Sequence, residues 1–144
     1  MYASMVPFTS MAKIHAGISE LKASHLRLSA AARVNQGPPA HLLLFYAAEC
    51  GLKYAQLRRG NLLTTAQLTE LDHDLVSLIK NLNLPASALG EVPPLRFTRN
   101  QSERCPPSGA HQAWRYGVRI NTEDEVRFAT WLQRICDVVV KEYL

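Results

Sequence analysis

Cysteine is scarce in this chain: Cys50, Cys105 and Cys136 are the only three in 144 residues. Their odd number and wide scatter exclude a disulfide framework. There is no Cys-x-x-Cys pair and no histidine pair at i and i+4, so no zinc site is expected, nor any other metal or cofactor. A Gly-rich phosphate loop is missing, as is a Ser-His-Asp or Cys-His nucleophile arrangement. Charged residues make up 19%, too few for a disordered polar chain. No apolar run reaches the roughly 18 residues that a membrane span requires, so no membrane partner is expected. Met1 to Ala12 has no cationic start followed by an apolar block, and no secretory signal is expected. These absences together point to a reduced, cytoplasmic protein.

What is present is a hydrophobic share of 47%, enough for one domain with one core. The net charge is +4, and its placement is informative. Between Arg96 and Arg119 lie five arginines (Arg96, Arg99, Arg104, Arg115, Arg119) and one acid, Glu103. The remainder of the chain balances. The same segment holds Phe97, Trp114 and Tyr116.

Spacing predicts a first helix from about Ser10 to Val34, with Met11, Ile14, Ile18, Leu21, Leu28 and Ala32 on one face and His25 beside them. His25 is expected to be a hydrogen-bonded core or interface residue. A second helix is predicted from about Ala40 to Arg59, with Gly60 as its C-cap. It is apolar nearly all round, which places it at the centre of a bundle. One semi-polar line crosses it, carrying Glu49 and Lys53 at i and i+4. Thr64 and Gln67 form a capping box for a short helix to about Leu71, and Asp72 can cap another carrying Leu75, Leu78, Ile79 and Leu82. Pro85 opens a short turn ending at Gly90. Glu91 to Gln112 has two proline pairs and no helical period, so it is expected to be a long functional loop. Trp114 to Ile120 is expected to be extended or irregular. Thr122-Glu123-Asp124-Glu125 is a capping box with acids at the positive end of a last helix reaching about Tyr143. The fold expected is all-α, an antiparallel bundle of four to five helices with a basic loop before the last.

The segment Tyr46, Ala47, Glu49, Cys50, Leu52 and Lys53, followed by His73, Asp74 and Leu75 and later by Arg115-Tyr116, resembles the HEPN superfamily of helical-bundle domains. The resemblance covers about Leu42 to the C-terminus. It implies that residues 1–144 form a single HEPN-like domain. It also implies a small prokaryotic intracellular protein, often a homodimer, found in toxin–antitoxin, defence or RNA-processing systems. Many members are metal-independent RNases marked by an arginine, four to six residues and a histidine. Arg104 and His111 have that spacing and are the candidate catalytic pair. Histidine near neutral pH suits proton transfer, and arginine suits a phosphate. The motif is short enough to arise by chance, and the two prolines after Cys105 argue against a helical setting.

The other candidates each carry a structural alternative. Arg96, Arg99, Arg115 and Arg119 could meet RNA phosphates while Trp114, Tyr116 or Phe97 stack on unpaired bases. The same arginines could instead dock an acidic protein or form internal ion pairs. Glu49 and Lys53 could line a site, but an i,i+4 pair, or Glu49 with Arg115, is the preferred reading, because a buried carboxylate needs a partner. His73 and Asp74 could hold a phosphate at a helix N-terminus; capping by Asp72 and Asp74 is preferred. Two functions are therefore expected: an RNA-associated HEPN-like protein, or a non-catalytic adaptor. The first would be an endoribonuclease if Arg104 and His111 meet. The second would dock a cognate protein through the basic loop and the Trp131/Val138 border.

Overall fold

The computed structural model describes residues 14–68 and 74–144. The chain is mainly α. Its helices are α1 (Ile18–Arg33), α2 (Gly37–Gly60), α3 (Leu75–Leu82), α4 (Ala86–Leu89), α5 (Ala110–Tyr116) and α6 (Thr122–Tyr143). A two-stranded antiparallel hairpin, β1 (Leu95–Phe97) and β2 (Asn100–Cys105), stands between α4 and α5.

The central helix is α2, and α1, α3, α5 and α6 all pack on it. Pro38 and Pro39 sit in its first turn, where no intrahelical N–H is needed. The helix runs one residue past the expected stop: Gly60 is still helical, and Asn61 takes the left-handed cap position at φ 55°. Phe45 and Leu52 of α2 meet Phe128, Leu132 and Ile135 of α6 in one core, all fully buried. Burying each of these side chains is worth about 1.5–3 kcal/mol. Phe128 stands edge-on to both Trp131, at 5.1 Å, and Trp114, at 6.0 Å.

The first helix starts later than its apolar spacing suggests. Residues 14–17 are not helical, because the chain there runs beside residues 63–65. Ala16 O accepts from Thr65 N at 2.9 Å, and Ile18 N donates to Leu63 O at 3.2 Å. Ser10 and Met11 lie outside the described residues. Where α1 crosses α2 the approach is close. A Cβ on Gly51 would lie 2.7 Å from Nδ1 of His25. That nitrogen donates to Ala47 O at 2.8 Å in the interior, as expected for a core histidine.

The Thr64–Gln67 capping box forms, but it closes a single 3₁₀ turn, Thr65–Gln67; the rest of the expected helix to Leu71 lies outside the described residues. The segment Glu91 to Gln112 is not a loop. It contains the hairpin, a 3₁₀ turn at Pro107–Gly109 and the start of α5. Nor is Trp114 to Ile120 irregular throughout, since α5 runs to Tyr116 and ends on Gly117 at φ 76°. Asn121, rather than Thr122, caps α6, its side chain accepting from Asp124 N at 3.1 Å.

Candidate nucleic-acid interface

The hairpin is fixed to the first turn of α6. Arg96 stands opposite Arg104 across the strands, and like charges directly opposite are destabilising unless an anion offsets them. Asp124, 1% exposed, supplies it. Its carboxylate accepts from Arg96 Nε at 2.9 Å, Arg96 Nη2 at 3.1 Å and the Arg96 backbone N–H at 2.9 Å. These hydrogen bonds hold the Asp124 carboxyl below the usual carboxylate range and raise the Arg96 pKa. Two backbone bonds complete the attachment: Thr98 N to Arg119 O at 3.1 Å and Asn121 N to Arg96 O at 2.8 Å. Arg96 is thus paired within the fold, the structural alternative for this residue, with 36% of its side chain still exposed.

The other four arginines of the segment are exposed. Arg99 lies over the Phe97 ring at 4.9 Å and makes only a surface contact with Glu103 at 3.5 Å. Among the described residues, the side chains of Arg104 and Arg119 form no ion pair or hydrogen bond. Arg115 donates to Tyr46 Oη at 2.6 Å and lies 5.7 Å from the Tyr116 ring. The Tyr46 bond is the main cause of its raised pKa. Arg115 therefore pairs with Tyr46 and not with Glu49; Glu49 accepts from Lys53 at 2.8 Å. Tyr116 is 70% exposed, so its ring is open to a stacking partner.

Trp114 departs from expectation. It is 6% exposed, with its ring packed in the core and edge-on to Phe128. Burial rules it out as an open stacking platform. Its indole N–H donates to Glu125 Oε2 at 2.8 Å, and the other carboxylate oxygen lies 3.7 Å from His41 Nε2. Burial lowers the His41 pKa, and Glu125 opposes that shift in part. Two cavities share Ala113 and Val118 as a wall, and the first of them reaches this group. One, about 380 Å³, is lined by Trp114, Glu125, Arg119 and Thr98. The other, about 250 Å³, is lined by Phe97, Arg99 and Tyr116. Neither His41 nor Glu125 was flagged by sequence reasoning. A tryptophan that is to be buried needs an acceptor for its N–H, which points toward an acid such as Glu125; nothing in the sequence points to His41.

Arg104 and His111 occupy different environments. Arg104 is exposed on β2, and His111 is 2% exposed in the first turn of α5. The histidine ring lies 5.0 Å from Phe45 and 6.1 Å from Tyr46. The prolines do not prevent a helical setting for His111, because they precede the helix. No hydrogen bond joins the pair. Asp74 caps α3, accepting from Ser77 N at 3.1 Å and Ser77 Oγ at 2.7 Å. His73 and Asp72 lie outside the described residues. The Trp131/Val138 border, expected to be a docking edge, is buried at 1% and 9% exposure. Among the described residues there is no cluster of metal-ligating side chains and no helix long and apolar enough to cross a membrane. Comparison of the chain with family models, with curated proteins and with solved structures finds no match.

Proposed function

We propose that this chain is an HEPN-like RNA-associated domain, of prokaryotic defence or toxin–antitoxin type, that binds single-stranded RNA through the face built from the hairpin and α5. The observation that carries this reading is the exposure of Arg99, Arg104, Arg115 and Arg119 and of the Tyr116 ring, while Arg96 of the same segment is paired with a buried carboxylate. Guanidinium groups hold phosphates and an exposed aromatic face stacks a base. The HEPN resemblance supplies the biological setting and the homodimer that belongs to this reading. Binding without cleavage by Arg104 and His111 is favoured, because a base that removes a 2′-hydroxyl proton must reach it and His111 is enclosed.

The test is anisotropy of a labelled single-stranded RNA in EDTA at a series of salt concentrations. Affinity should fall steeply with salt. Replacing Arg99, Arg104 and Arg119 together by alanine should reduce the log–log slope by about 2, at about 0.7 per phosphate contact on a single strand. Absence of binding at low salt, or an unchanged slope, overturns the proposal. Cleavage in EDTA that is abolished by Arg104→Ala or His111→Ala would restore the endoribonuclease assignment. A second reading, a non-catalytic adaptor, is favoured by a separate groove of about 330 Å³ between α1, α2 and α6, lined by Ala32, Leu44 and Val126. Val126 is 58% exposed there. A pull-down that recovers one stoichiometric protein and no RNA would select it.

A further inference from the structure

We infer that the cavity between Trp114, Glu125 and Arg119 is a subsite for a guanine base, with Glu125 reading its Watson–Crick edge. The inference rests on the RNA-binding reading and adds base specificity to it. The cavity, about 380 Å³, lies within the size range of small-ligand sites. One wall is apolar, made by Ala113, Val118 and Ile120. Against it stands one carboxylate whose orientation is set before any ligand arrives. Trp114 Nε1 holds Glu125 Oε2 at 2.8 Å, and the indole itself is buried. Trp114 takes one lone-pair position on Oε2 and His41 Nε2 stands 3.7 Å from Oε1; a carboxylate has about four such positions, so acceptor capacity remains on both oxygens of this cavity-lining side chain.

The chemistry of that acceptor selects among the bases. Guanine presents two adjacent N–H donors, N1–H and N2–H, that a carboxylate receives together. Adenine and cytosine present one amino donor beside a ring-nitrogen acceptor, which a carboxylate repels. Uracil presents one N–H between two carbonyl oxygens. Unpaired bases in single-stranded RNA are recognised through these edges. Arg119, exposed on the rim and without an ion pair among the described residues, is placed for the phosphate on the ribose of the same nucleotide. Thr98 joins the same wall to the hairpin tip, beside Arg99. A guanine seated in the cavity therefore leaves its neighbouring phosphates on the basic face.

The experiment compares a labelled oligouridine with the same strand carrying one central guanine, adenine or cytosine, and adds competition by GMP, AMP, CMP and UMP. The guanine strand should bind about tenfold or more tighter, the discrimination that a two-bond edge contact provides. GMP should compete best. Glu125→Gln keeps an acceptor for Trp114 but offers an amide N–H to the base, and should abolish the preference. Arg119→Ala should weaken every strand alike and keep the preference. Equal affinity for the four strands together with equal competition by GMP and UMP overturns the subsite while leaving RNA binding intact. So does a preference that survives in folded Glu125→Gln protein. If that variant does not fold, the competition series on the native protein decides. GMP binding without binding of any RNA assigns the cavity to a free guanine nucleotide and overturns the RNA reading. Binding of neither overturns both.

Discussion

Replacing Gly51 by alanine sets two effects of opposite sign against each other. Alanine in a helix interior is favoured over glycine by about 1 kcal/mol. In an open helix that would stabilise the protein. At Gly51, however, the added methyl would stand 2.7 Å from Nδ1 of His25 and 3.3 Å from Cγ1 of Val139. Both neighbours are buried. To make room the imidazole must move, and it then loses its bond to Ala47 O at 2.8 Å. Leaving that buried pair unmade costs about 1–3 kcal/mol, and overpacking costs about 1–3 kcal/mol more. The net expectation is a loss of about 1–5 kcal/mol, or roughly 3 °C in Tm per kcal/mol for a domain of this size. Urea and thermal denaturation of Gly51→Ala, His25→Ala and the double variant measure it. In the His25→Ala background the methyl has space, so the cycle should show a coupling of about 1–3 kcal/mol. A Gly51→Ala protein as stable as the native one, or strictly additive losses, would refute the account of how α1 and α2 meet.

Further outcomes follow from caps, carboxylates and thiols. Asn83 ends α3 in the left-handed region at φ 54°; Asn83→Ala should cost about 1 kcal/mol in denaturation, and Asn83→Gly should cost nothing. Because the folded pKa of Asp124 lies below the ordinary value of 3.8, its contribution is full above that pH and is lost as pH falls through the lower folded value. Acid titration of stability should therefore show the difference between the native protein and Asp124→Asn shrinking below about pH 4. Burial raises the thiols of Cys50 to about 11 and Cys136 to about 12, from an ordinary 9.0. Alkylation at pH 8 should be at least about a hundredfold slower in the folded protein than in urea, since two pKa units remove that share of thiolate. With folded pKa values above the unfolded ones, stability is unaffected by these thiols below pH 9.0 and declines as pH rises toward 11–12, where the unfolded chain loses the thiol protons first.

The long elements were legible because their burial is periodic. The apolar α2 belongs in the middle, and the acids at Glu123–Glu125 mark the start of α6, which ends at Tyr143 as its spacing indicates. The segment between α4 and α6 hides its structure from the sequence pattern for identifiable reasons. Five of the six residues of β2 are exposed, so the alternation that announces a half-buried strand is missing. Helix α5 is only seven residues long, too short to register as a period. Its signals were nonetheless present: Pro106-Pro107 before it, Gly117 after it, and Ala110, His111, Ala113 and Trp114 at one-face spacing. Read together, they would have moved Trp114 from the ligand face to the core. The basic segment was identified as a unit, but which arginine is spent inside the fold depends on Asp124, 28 residues away from Arg96.

That separation has a consequence for biogenesis. On a ribosome the hairpin emerges before the turn that carries Asp124, and domains gain structure as their parts become available. Until then Arg96 lacks the Asp124 carboxylate, and a two-stranded ribbon is too small to be stable alone. The bonds from Arg96 to Asp124, and with them this anchor of the hairpin, therefore wait for the first turn of the last helix.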